Sequence, residues 1–334
     1  MISLELEYFD LRKICNSGQI FRMYEREDGI FDVYSGDRHL RLRQHNAKDQ
    51  QEETGAVNRD TGKSYSTDLK MTVNVDLDCT QQEFDSYWKR YFDLERDYGK
   101  IVRTAMKKDR SGRCADEFVA QACAYGAGIR ILHQDIWEML ISFIISQQKQ
   151  IPSIRKCIEA LCERFGERMD GWYAFPTPEA IAGGGPEGLK GLSLGYRERY
   201  IYETAVRYLT EGLPYDRVES MGLEAALDYF TSFCGVGVKV ANCVCLFGAG
   251  YVDAFPIDTH IKDILYREYY LKNEKTRITK GRCGTGPETG AEISAESKLS
   301  QADYEELVRA NFDRFRGYRG IVQQWIFAKE VSGD

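Results

Sequence analysis

The chain has 334 residues, of which 43% are hydrophobic and 29% charged, and it carries a formal net charge of −7. This is an ordinary soluble globular composition, with length for two or three domains and a sizeable core. The acidic balance argues mildly against a nucleic-acid partner, but a local basic face can bind DNA while acids cluster elsewhere.

The chain opens Met1-Ile2-Ser3-Leu4-Glu5-Leu6-Glu7, with acids where a signal peptide needs a basic start. No apolar run is long enough to cross a bilayer. A cytoplasmic protein is expected, nucleoid-associated if bacterial. Strand-like runs follow at Gln19–Tyr24, Ile30–Tyr34 and His39–Arg43, punctuated by Gly18, Gly29 and Gly36. Residues 46–66 are polar and aperiodic, as in an exposed loop. Lys70–Leu77 alternates as a half-buried strand, and Phe84, Trp88, Tyr91 and Phe92 recur at helical intervals.

From about Asp116 the texture is helical. Ile136–Ile145 reads as a buried helix, Ile154–Phe165 as an amphipathic one ending at Gly166. Thr177-Pro178 has the pattern of an N-cap followed by proline at the first helical position. Further helices are expected over Arg197–Leu209, Leu223–Phe230, Gln301–Phe315 and Gly320–Lys329. Residues 272–300 differ in composition and read as a flexible insertion. The expected fold is α+β. An N-terminal antiparallel sheet domain over 1–115 precedes a helical domain over 116–334.

The most informative segment is Phe233-Cys234-Gly235-Val236-Gly237-Val238-Lys239. One helix arrives, two glycines make a tight turn, and a second helix starts at once. Such a helix-hairpin-helix, at about 223–247, can grip a DNA phosphate through the amides opening its second helix. The glycine pattern alone equally fits an ordinary αα-turn. Lys239 is not needed for the turn, nor is it favoured by the positive helix end. Phe255-Pro256-Ile257-Asp258-Thr259-His260 follows, with Asp258 placed to cap the next helix. The ten cysteines are scattered, and the closest pair, Cys243-Val244-Cys245, lacks zinc-site spacing. With no terminal cysteine group for an iron–sulfur set, no metal is expected.

Gly235-Val236-Gly237-Val238-Lys239 followed by Pro256-Ile257-Asp258-Thr259-His260 resembles the helix-hairpin-helix/Gly-Pro-Asp superfamily of DNA glycosylases. Phe9-Asp10-Leu11, Ser17-Gly18-Gln19-Ile20-Phe21-Arg22, His133-Gln134-Asp135, Leu194-Gly195-Tyr196-Arg197 and Tyr318-Arg319-Gly320-Ile321-Val322-Gln323 extend the resemblance to the 8-oxoguanine DNA glycosylase family. The resemblance implies a twisted, TBP-like N-terminal sheet and a glycosylase that also nicks the strand. Its partner would be double-stranded DNA containing an oxidised purine, engaged by a monomer without cofactor.

It also implies roles. Lys239 would attack the sugar as an uncharged amine, favoured by partial burial and the positive helix end, while Asp258 would remain ionised and steady the departing-base transition state. Cys243 and Phe327 would flank the flipped base, Gln323 would read its Watson–Crick edge, and the Gly18 carbonyl would accept from N7–H. Gln148 would fill the hole in the stack, and Tyr196 would wedge beside it. Arg197 would hold the opposite base. Gly235, Gly237, Val238 and His260 would contact the backbone. Three departures stand out. Ser153 occupies the position expected of a second arginine, Gln148-Lys149-Gln150 replaces an asparagine run, and Met23 stands where tryptophan is common. An alkylpurine glycosylase of the same superfamily would need no amine nucleophile. A non-catalytic hairpin protein would bind DNA without Asp258.

Overall fold

A computed structural model describes residues 1–46, 71–107, 114–212, 215–272 and 299–331. The loop at 46–66 and the insertion at 272–300 therefore lie almost wholly outside the described residues. Five strands, β1 (Ile2–Glu7), β2 (Met23–Glu25), β3 (Ile30–Ser35), β4 (Arg38–Asn46) and β5 (Thr72–Leu77), form one antiparallel sheet in the order β1-β5-β4-β3-β2. Helix α1 (Leu11–Asn16) and the helical turns around Phe84–Trp88 supply the apolar partners of this sheet, with Leu11, Ile14, Val33, Leu40, Val75 and Trp88 in one buried cluster.

One expected strand is corrected by the structure, and one strand was not expected. Gln19–Tyr24 is not a strand; only Met23–Glu25 pairs. The reason lies in Gln19, which is fully buried and bridges segments through its side-chain amide. Its Nε2 donates to the Arg130 carbonyl at 2.9 Å, and its Oε1 accepts from the Leu132 amide at 2.8 Å. Conversely, Ile2–Glu7 is a strand, its apolar residues alternating with exposed acids and its Ile2 opposite Leu77.

The larger core is helical. It gathers α2 (Tyr98–Ala105), α3 (Glu117–Gly126), α4 (Ile136–Ser146), α5 (Ile151–Phe165), α6 (Arg197–Glu211), α7 (Leu223–Thr231), α8 (Val238–Phe247), α9 (Thr259–Ile264), α10 (Gln301–Phe312) and α11 (Arg319–Val331). Helix α4 is buried on every side and is capped by Asp135, which accepts from the Glu138 amide at 2.8 Å. The Thr177 cap with Pro178 in the first turn forms as expected. Among the described residues, no helix is long and apolar enough to cross a membrane. The nine described cysteines are all free thiols.

Sheet and helices meet at a buried polar seam. Glu138 of α4 accepts from the Gly36 amide in the β3–β4 turn at 2.8 Å. Arg22, just before β2, donates to Glu159 of α5 at 3.0 Å and to the Tyr173 carbonyl at 2.7 Å. Burial pushes the Glu138 carboxyl up to about 7, against the pull of Arg22. A folded-state value above the unfolded one means that this acid contributes most stability below pH ~4.5 and loses it as pH rises through about 7. The shift corresponds to on the order of 3 kcal/mol. Glu138→Gln is expected to flatten the fall in stability between pH ~5 and ~8. Urea unfolding midpoints at both pH values check this, and an unchanged slope counts against it.

Candidate active site

The hairpin forms where the sequence placed it. Gly235 has φ +74°, and a Cβ there would lie 2.2 Å from the Tyr200 ring, so only glycine fits. Gly237 is different: its φ is −89° and it N-caps α8 with no side-chain hydrogen bond. Its value lies in what it leaves open. The first amides of α8 have no capping side chain, no acid stands in the first turn, and Gly237 and Val238 are exposed. Uncapped donors at a positive helix end are suited to an anion despite the acidic whole-chain charge.

Lys239, in the first turn of α8, borders a narrow open cleft of about 320 Å³ together with Gly18, Cys243, Asp258, Gln323 and Phe327. The lysine also borders a wider groove toward α10. Its Nζ stands 5.2 Å from the centre of the Phe143 ring, which makes one side of the amine's surroundings apolar. Cys243, one turn further along α8, is buried. Burial holds its thiol above the usual range; Lys239, within hydrogen-bonding reach, opposes this, and Asp258 adds to it. Amine, thiol and carboxylate thus share one small volume.

Asp258 forms its expected cap and also faces the cleft. It N-caps α9, accepting from the Ile261 amide at 2.9 Å. Asn242 was not anticipated. It donates to the Val238 carbonyl and accepts from the Phe255 amide, both at 2.9 Å, and so ties the Pro256–Asp258 loop to the lysine-bearing helix. Its only signal was a polar residue in an otherwise apolar helix.

The opposite wall comes from α11 and the turn at Gly18. Gln323 is 3% exposed, donates to the Pro256 carbonyl at 3.2 Å, and leaves its buried Oε1 with no partner. An orphaned buried acceptor at a cleft wall is suited to a ligand donor. Gly18 has φ +78°, and a Cβ there would stand 3.0 Å from the Phe327 ring. Gln324, also unanticipated, donates to the Ser17 carbonyl and fixes this turn. Gln134 reinforces it by donating to the Gln19 carbonyl at 2.8 Å. Among the described residues, no cluster of His, Cys, Asp and Glu is arranged to hold a metal ion.

The remaining sequence-derived residues are not among those that line the cleft. Gln148 is exposed, with φ +53° at the end of α4. Tyr196 is 48% exposed at the start of α6. His260 is exposed, with its ring edge-on to Phe327 at 6.0 Å. Arg197, expected to hold the opposite base, is engaged within the protein. It is buried, and its guanidinium donates to the carbonyls of Leu194 and Gln147. Ser153, where a second arginine was expected, is exposed on α5.

Hairpin, lysine and Pro-x-Asp loop define a base-excision protein of the HhH-GPD superfamily, whose family matches residues 141–283. Residues 1–140 match the 8-oxoguanine DNA glycosylase N-terminal domain. The chain belongs to the 8-oxoguanine DNA glycosylase family within that superfamily. The N-glycosylase/DNA lyase of Saccharomyces cerevisiae is 32% identical over 222 residues, which span 62% of this chain and 58% of the yeast protein. A solved complex of MBOgg1 with a low-affinity DNA ligand is 29% identical, with a TM-score of 0.73 over 99% of this chain and 96% of that one. The apo 8-oxoguanine glycosylase/lyase of Clostridium acetobutylicum is 25% identical, with a TM-score of 0.72 over 98% and 96%.

Proposed function

We propose that this protein excises 8-oxoguanine from double-stranded DNA and then nicks the strand, acting as a cytoplasmic monomer. The observation that carries the reading is the convergence of Lys239, Asp258, Cys243 and the unpartnered Gln323 acceptor on one cleft. The flipped base enters between Cys243 and Phe327. Its Watson–Crick donors meet Gln323 Oε1, and its N7–H meets the Gly18 carbonyl. The uncharged Lys239 amine attacks the sugar C1′, the glycosidic bond breaks, and the base departs with the bonding electrons. The Asp258 carboxylate stabilises the positive sugar. The C1′–N adduct opens to a Schiff base. Loss of a C2′ proton then expels the 3′ phosphate by β-elimination. An alkylpurine glycosylase leaves the amine in this cleft without a task.

Base release and strand nicking from an 8-oxoguanine duplex test the proposal; a protein that binds the duplex and does neither contradicts it. The opposite-base preference is expected to be weak, because Ser153 replaces one arginine and Arg197 is committed to carbonyls. One bidentate contact to a base carries about 1–3 kcal/mol of discrimination. Excision rates opposite the four bases are therefore expected to agree within about tenfold. A cytosine preference above about 100-fold would show that Arg197 swings out and suffices.

A further inference from the structure

The residues that would enter the DNA stack and the residue that would attack the sugar sit on different elements, and Gly235 joins them. Gln147, which precedes the exposed Gln148, donates from Nε2 to the Gly235 carbonyl at 3.0 Å. Tyr196 packs edge-on against Tyr200 at 5.6 Å, and the Tyr200 ring fills the space where Gly235 has no Cβ. Arg197 lies 4.3 Å beneath the Tyr196 ring and donates to the Gln147 carbonyl. Lys149 donates to the Ser193 carbonyl at 2.9 Å and ties the same turn to the loop before Tyr196. Gln148 and Tyr196 are therefore anchored on one hairpin glycine, two residues before the cap of α8 and four before Lys239.

We infer that Gln147 is a positioning residue that couples insertion of Gln148 and Tyr196 into duplex DNA to the placement of Lys239. The inference rests on the glycosylase/lyase reading above. Pressure on the inserted Gln148 reaches the backbone of residue 147. From there the Gln147 side chain passes it to the Gly235 carbonyl, at the base of the lysine-bearing helix. Arg197 has its place in the same device: it braces the Gln147 carbonyl. The link is a single neutral hydrogen bond, so its loss is a rate effect of about tenfold at most. The effect should appear only where the stack must be entered.

Two variants test this. Gln147→Met keeps the side-chain length and removes the donor; Gln147→Lys keeps a donor. Each is compared with wild type on two substrates: single-turnover excision from an 8-oxoguanine duplex, and borohydride trapping on a single-stranded abasic oligonucleotide, which needs no flipping. Gln147→Met is expected to lower duplex excision about tenfold while abasic trapping stays within about twofold. Gln147→Lys is expected to recover most of the duplex rate. Duplex excision unchanged in Gln147→Met overturns the coupling, as does an equal fall on both substrates or a failure of lysine to rescue. Absence of trapping by the wild-type protein on either substrate would instead overturn the lyase reading itself.

Discussion

Lys239→Gln is expected to abolish strand nicking and to lower base excision by at least about 10³-fold, the scale on which loss of an essential nucleophile is felt. Duplex binding should survive. The proposed phosphate seat consists of backbone amides at the start of α8, and glutamine leaves them untouched. Glutamine also matches lysine in reach well enough to keep Phe143 and Cys243 covered. Single-turnover excision and duplex affinity, measured on the same preparation, separate chemistry from binding. Wild-type turnover in the variant would remove the lysine from the mechanism, and a parallel loss of affinity would assign it to binding.

Asp258→Asn is expected to lower excision about 10²–10³-fold, the usual effect of removing one preorganised charge from a transition state. Its stability should move by no more than about 0.5 kcal/mol, because asparagine caps a helix as well as aspartate does. The cap is the bond from the Ile261 amide, and asparagine keeps an oxygen to accept it. Asp258→Ala should lose both functions, with about 1 kcal/mol less stability as well as the rate loss. Comparing the two variants by thermal melts and single-turnover rates splits the capping role from the electrostatic one. Full activity in Asp258→Asn would leave the carboxylate as a cap alone.

The hairpin and its lysine were legible because their physics is local. Two glycines, a helix start and an oddly placed lysine lie within a few residues, and the Pro-x-Asp loop follows closely. The cleft wall at Gln323 and Phe327 was legible only through a family resemblance, since nothing local says that α11 faces α8. Other features depend on closure between distant segments. The strand Ile2–Glu7 needs Thr72–Leu77 beside it before its alternation means burial. Gln19 reads as a strand residue until the Arg130–Leu132 segment arrives to bond its side chain.

Arg197 shows the same limit at the site. The family resemblance assigns Arg197 to the opposite base. It becomes a brace only because the end of α4 brings the Gln147 carbonyl within reach. Gln324 was overlooked beside Gln323: both line the cleft, and Gln324 also holds the Gly18 turn. Neighbouring positions on a helix point about 100° apart, and sequence alone did not say which of the two directions carried a role.

The mechanism turns on one amine. Borohydride reduction during reaction with an 8-oxoguanine duplex, followed by peptide mapping of the adduct, tests it directly. A covalent protein–DNA adduct is expected on the peptide containing Lys239. Base release with no trapped adduct, or an adduct on another amine, would contradict the mechanism.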